Sequence, residues 1–292
     1  MTYVNPTNDL AFKKVLGSNE NIHILGGLIK DFFFIEPEGL TVENPYSIKA
    51  YKELIKNEEV FRLRPTISDI AAIMRIADYR SELQLRKGYH FDERSLYYPL
   101  DKFVSRYRVT SNEESAYARL RPIYSLNILG FNNFPEDDDA LRIFQLYDPV
   151  RNKKFSKNIL NIGYFELLKP NVETENQKHW QDYFMQNPIS PNAPDYIHDA
   201  LQIIDRANMD EEELEMITHT EYLQSIYNDQ IAYAKDEGRS EGRLEGRLEG
   251  RNEGRLEEKI EFVRRLLKLD RPVGEIVEVS GLSFEEVEGL KY

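Results

Sequence analysis

Two strand-forming runs joined by a short link, Thr66 to Met74 and Tyr79 to Leu85, do most to limit the folds open to this 292-residue chain. The first is apolar enough to form a strand buried on both faces. The second alternates: Tyr79, Ser81, Leu83 and Leu85 face one way, while Arg80, Glu82, Gln84 and Arg86 face the other. A link this short predicts a hairpin. Helices flank it. Residues 7–17, TNDLAFKKVLG, predict a short helix capped by Thr7 or Asn8, with Asp9 at its positive end and Gly17 as its stop. A second helix covers about 20–33, with Ile22, Leu25, Leu28, Ile29 and Phe32 on one face. Residues 92–107 read as a further helix, and 122–131 and 159–168 as further central strands. This order predicts an α/β domain ending near residue 170.

The net charge of −13 is unevenly spread. Residues 1–170 hold 24 Lys and Arg against 23 Asp and Glu, whereas 171–292 hold 14 against 28. The acidity therefore belongs to the C-terminal part, and the N-terminal part remains free to approach a polyanion. No run nears the roughly 18–20 apolar residues that span a bilayer, and the N-terminus lacks the basic and apolar regions of a secretory signal. The chain has no cysteine, which excludes disulfides, thiolate zinc sites and a cysteine nucleophile. The expected compartment is the cytoplasm of a bacterium.

From residue 171 the composition favours helix. Five tetrapeptides, EGRS EGRL EGRL EGRN EGRL, then run from Glu237 to Leu256. A period of four drifts by about 40° per unit around a helix. Each glycine costs about 0.8–1 kcal/mol relative to alanine, and the i, i+4 pairs are Glu–Glu and Arg–Arg, which repel. A lone helix is poor here. Pairing with another helix is preferred over a flexible linker, because glycines admit a second backbone and Glu and Arg can pair between chains. Beyond Pro272 the end of the chain reads helix–SGLS–helix, which resembles a helix-turn-helix. Its second helix carries Glu285, Glu286 and Glu288, however, and phosphates would repel it. Ile276, Val277, Leu282, Phe284 and Val287 are too few for a core of their own. They need either the same segment of another chain or the Leu256–Leu267 helix.

P-loop, dinucleotide-binding and nucleophile-elbow motifs are absent, and His23, His90, His179, His198 and His219 never fall at ligand spacing. What remains is Asp69, with Glu82 and Gln84 on the next strand. Carboxylates on adjacent strands aimed at one face suit Mg²⁺, which takes hard oxygen ligands. A buried ion pair with Arg75, Arg80 or Lys87 explains the same acids, and from spacing alone it is the better account.

ISDIAAIM…YRSELQL resembles the catalytic hairpin of the PD-(D/E)XK nuclease superfamily. NPTNDLAFKKVLG, SELQ, RSLYYPLDKFVSRY, PIYSLNILGF and FELLK, in that order, resemble the recombination-promoting nuclease or nuclease-family transposase group within it. The resemblance implies a restriction-endonuclease-like core, a mixed central sheet flanked by helices, over 1–170. A helical extension (171–236), the repeat (237–256) and a small helical oligomerisation or regulatory segment (257–292) would follow as an α-helical tail. It implies that Asp69, Glu82 and the Leu83 carbonyl hold Mg²⁺ or Mn²⁺, and that Gln84 stands where the wider superfamily has lysine. Asp9 would reach the metal or serve only as a helix-dipole partner. Lys13, Arg94, Arg106 and Arg108 would contact DNA, with Tyr97, Tyr98 and Tyr107 interleaved. Glu166 and Lys169 read as structural. The implied activity is metal-dependent hydrolysis of DNA phosphodiesters by a homo-oligomer with no membrane association, linked to recombination, mobile DNA or defence. The competing reading is a weak or inactive nuclease fold that works through its acidic tail.

Overall fold

The computed structural model describes residues 2–55, 70–108, 120–155 and 158–291. In chain order the first elements are α1 (Asp9–Leu16), α2 (Ile22–Phe33), β1 (Thr41–Val42), α3 (Ile48–Ile55), β2 (Ile70–Ile73), β3 (Asp78–Gln84) and α4 (Phe91–Arg108). Strands β4 (Ile123–Leu129), β5 (Leu141–Gln145), β6 (Tyr147–Asp148), β7 (Lys153–Lys154) and β8 (Leu160–Glu166) follow. Helices α5 (Glu175–Phe184), α6 (Asp195–Ile203), α7 (Glu211–Lys268), α8 (Val273–Ser280) and α9 (Phe284–Gly289) complete the chain. It divides into two compact units, one up to Glu221 and one from Tyr222 onward. The helices after β8 thus belong with the sheet as far as Glu221.

The first unit is built on a six-stranded mixed sheet in the order β1-β2-β3-β4-β8-β5. The hairpin forms: β2 runs antiparallel to β3, with Ile70 opposite Ser81 and Ile73 opposite Asp78. On its other side β3 is parallel to β4, and β4 to β8, while β5 closes the edge antiparallel. Strand β3 is therefore central, and only Arg80 along it is less than fully buried. The polar face read from the alternation is covered too.

Each face has its own packing. Tyr79, Tyr124 and Phe165 lie on one face, where Phe33 meets the first two rings edge-on at 6.4 and 5.2 Å and Phe32 meets Phe165 at 4.7 Å. Gly163 of β8 permits this approach, since a β-carbon there would lie 3.2 Å from Leu126 and 3.3 Å from Phe33. Beneath these helices Asp31 is buried and has three side-chain donors: Asn176 at 2.9 Å, the Trp180 indole at 2.9 Å and the Tyr196 hydroxyl at 2.7 Å. Its backbone oxygen also accepts from Gln177. One residue thus ties α2 to α5 and α6. On the other face Phe91 of α4 packs with Leu129, Ile162 and Tyr164.

The start of α1 follows the sequence closely. Asn8, one of the two expected caps, accepts from the Leu10 and Ala11 amides, and its amide donates to Thr220 at 3.0 Å. The acidic start of α7 is held by cations and a phenol. Glu213 receives Lys14 at 2.5 Å and Tyr46 at 2.9 Å, and Glu212 pairs with Lys52. In the second unit the repeat is part of one 58-residue helix, α7. Its last turns carry Val263, which packs with Ile276, Leu282 and Val287 from α8 and α9. Of the two surfaces expected to cover these residues, the chain's own helix does so. Gly281, at φ 65°, ends α8, and Ser283 and Glu286 form a capping box on α9.

Candidate active site

Strand alternation puts Arg80, Glu82 and Gln84 on the face covered by α4. Register adds Asn127 and Tyr164 beside Glu82, and Leu129 beside Gln84. Glu82 is only 4% exposed. A carboxylate this dry requires compensation, and Arg80 supplies part of it, with Nε 3.5 Å from Glu82 Oε1. The Arg80 guanidinium lies over the Tyr98 ring at 4.5 Å, and Arg94 approaches the same ring at 6.0 Å. Tyr98 thus organises two cations against the sheet. The ion pair weighed against a metal site is present, and Arg80 is the partner.

Gln84 differs from its neighbour. Its amide nitrogen donates to the Arg86 carbonyl at 3.0 Å, while Oε1 is buried and has no hydrogen-bond partner among the described residues. An unpaired buried acceptor is costly, so its persistence marks a place for a donor or a cation. Gly88, in the turn after β3, sits between Gln84 and Arg94: a β-carbon there would lie 3.6 Å from Gln84 Nε2 and 4.0 Å from Arg94 Nη1.

Polar groups behind these residues fix their surroundings. The Asn127 amide donates to the Gly163 carbonyl at 3.1 Å, across to β8. Tyr164 and Ser95 bring their hydroxyls within 2.6 Å, joining α4 to the sheet. Burial pushes the Tyr164 phenol above its ordinary range. The Ser95 hydrogen bond opposes that shift, and the charges of Asp92 and Glu82 reinforce it. Tyr164 is therefore a neutral hydrogen-bonding group beside Glu82.

The structure brings Glu82 and Gln84 onto one strand face, with Arg94 near Gln84 at Gly88. Leu83 lies between the two polar residues with its side chain buried on the opposite face. Asp69 lies outside the described residues, as do the side chains of Arg106 and Arg108 on the last turn of α4. Asp9 and Lys13 are half-buried, one turn apart on α1. Sequence reasoning gave Arg80 only the role of ion-pair partner and missed Asn127, Ser95 and Tyr164. Strand parity alone places Arg80 with Glu82, whereas Asn127 and Tyr164 depend on the β3–β4–β8 register. Glu166 and Lys169, read as structural, form a buried pair at 2.9 Å. Glu166 also accepts from the Asn133 and Phe134 amides, and Lys169 donates to the Phe134 carbonyl, which pins the loop after β4.

Among the described residues no group of three or more His, Cys, Asp or Glu side chains is arranged to hold a metal ion. The donors present are nevertheless hard oxygens, a buried carboxylate and an unpartnered amide oxygen on one strand face. That chemistry fits Mg²⁺ or Mn²⁺. Among the described residues no helix is long and apolar enough to cross a membrane.

Comparison with curated proteins gave no match, nor did comparison with solved structures. A family sequence model described as PD-(D/E)XK nuclease family transposase matches residues 6–235, which takes in α1, the hairpin, the whole six-stranded sheet and part of α7. With the mixed sheet and long C-terminal helix in agreement, the chain belongs to the PD-(D/E)XK nuclease family transposases.

Proposed function

We propose that this protein is a divalent-metal-dependent DNA endonuclease that hydrolyses phosphodiester bonds at the Glu82 face of the sheet. The observation that carries this reading is the buried Glu82 carboxylate beside an unpartnered Gln84 oxygen, at the family's E-x-Q position. Asp69, Glu82 and the Leu83 carbonyl would hold the ion, with Asp9 as a further carboxylate from α1. A bound ion would lower the pKa of a coordinated water and offset charge on the scissile phosphate. Gln84 Oε1 accepts a hydrogen bond from the attacking water and orients it. A glutamine cannot take the charge role of a lysine, so the chain relies on position more than on a strong base at this point. Arg94 binds the phosphate, with Lys13, Arg106 and Arg108 extending the contact along the DNA backbone. Arg80, held on Tyr98, balances the Glu82 charge before substrate arrives.

Nicking of supercoiled plasmid in Mg²⁺ or Mn²⁺ tests this directly. Wild type should cut and Asp69→Ala should not. Mg²⁺ should raise the melting temperature of wild type more than that of Asp69→Ala, since an ion bound only to the folded state stabilises it. One observation favours a second reading, a non-catalytic interaction protein acting through its acidic tail. Arg80 already pairs with Glu82 without any ion. Absence of cutting with either metal, together with no metal-dependent stabilisation, would select that reading.

A further inference from the structure

Every residue from Asp229 to Glu253 of α7 is exposed. That is about 37 Å of helix with nothing from the described residues packed on it. Gly238, Gly242, Gly246, Gly250 and Gly254 have no atom within 4 Å of where a β-carbon would stand. Leu244, Leu248 and Leu256 are 61%, 53% and 51% exposed. Among the described residues no ion pair forms within 237–256. Glutamates recur every four residues, and so do arginines, so each i, i+4 pair in these two rows is like-charged and repulsive. A helix this rich in glycine and self-repulsion needs support from outside its own chain.

We infer that α7 pairs in parallel with α7 of a second copy of this chain. Successive residues of a helix turn by about 100°, so Glu and Arg flank the glycine of each unit and the fourth residue stands across from it. Two copies related by a two-fold axis along the helices set each Glu row against the partner's Arg row on both flanks. Reversing one helix sets Glu against Glu on one flank and Arg against Arg on the other. The parallel rule holds with the glycine row facing inward, where the absent side chains admit the partner's backbone. It follows from the charged rows, as it does for flanking charges in coiled coils. The rows wind right-handedly by about 40° per unit, so the helices cross and contact is closest over two or three units. The inference stands on the helix alone and does not require the nuclease reading.

The chain has no native cysteine, so single cysteines report unambiguously. Gly242→Cys and Gly250→Cys stand at exposed, open positions, so neither substitution disturbs packing within the chain. In a parallel pair each variant, oxidised by itself, yields a covalent dimer. In an antiparallel pair positions two turns apart cannot both meet their own copies, so at most one variant cross-links with itself. Sedimentation of the unmodified full chain should give twice its 34.3 kDa mass at low salt, with association weakening as salt rises. Arg243→Glu/Arg247→Glu/Arg251→Glu should sediment as a monomer. Mixing it with Glu241→Arg/Glu245→Arg/Glu249→Arg should restore the dimer. A monomeric wild type, or failure of either cysteine variant to cross-link with itself, overturns the proposal.

Discussion

Gln84 and Glu82 differ by two positions and hold different electrostatic states, one an amide whose oxygen has no partner among the described residues and the other a charge paired with Arg80. Replacing Gln84 with lysine restores the wider superfamily's residue and places an ammonium near a carboxylate. On the proposed function, Gln84→Lys should retain or raise Mg²⁺-dependent cutting, measured as initial nicking rate. Loss of cutting in a folded variant would mean that Gln84 is required as an acceptor. A purely structural prediction comes from two adjacent glycines of α2. A β-carbon at Gly27 would stand 2.6 Å from the Tyr196 ring, within the cluster around Asp31, whereas at Gly26 the nearest atom is 3.6 Å away. Overpacking costs about 1–3 kcal/mol, and replacing a helical glycine with alanine regains up to about 1 kcal/mol. Gly26→Ala should therefore stabilise the fold and Gly27→Ala destabilise it, as chemical denaturation would show. Equal midpoints would mean that Tyr196 moves aside without cost.

At the scale of elements, α9 depends on its first turn. Ser283 accepts from the Glu286 amide at 3.2 Å, and the Glu286 carboxylate accepts from the Ser283 amide at 2.8 Å. These hydrogen bonds hold the Glu286 carboxyl below its usual range. A depressed folded-state pKa contributes stability above the unfolded value that is lost as pH falls through the folded value. Ser283→Ala should cost about 0.5–2 kcal/mol in the C-terminal helical cluster, and Glu286→Gln should remove the acid sensitivity that the Glu286 carboxylate gives that cluster. Thermal melts of wild type and both variants at neutral and acid pH would show both effects, and an unchanged acid profile in Glu286→Gln would contradict the assignment. This cap was not read from the sequence, although S-x-x-E stands at 283–286. The hairpin, α1, α2 and the later strands were legible because each carries its own period, cap or β-branched run. The partners of Glu82 were less so. Arg80 follows from alternation within one strand, but Tyr164 joins Glu82 only through parallel pairings across residues far apart in sequence. The buried Asp31 cluster was invisible for the same reason, since its donors come from residues 176, 180 and 196.

For the whole molecule, burial raises several of the 18 tyrosines above the ordinary value of 10.0, among them Tyr46, Tyr79, Tyr183 and Tyr196. In all four, desolvation is the largest cause. A phenol with a raised folded-state pKa keeps its proton longer in the folded state than in the unfolded one. Stability is therefore intact below about pH 10 and falls as pH rises beyond it. Ultraviolet titration of native protein should show these phenols ionising only as the fold is lost, and smooth ionisation of all tyrosines near pH 10 with the fold intact would contradict the packing. The family match and the sheet settle what kind of molecule this is, and the central proposal is that its Glu82 face cuts DNA. The most direct measurement is plasmid nicking by Glu82→Ala beside wild type, with DNA affinity and melting temperature recorded for both. The account predicts that the variant, still folded, loses Mg²⁺-dependent cutting while holding DNA nearly as well, because a metal ligand and one repulsive charge are removed together. Full cutting by a folded Glu82→Ala would contradict it.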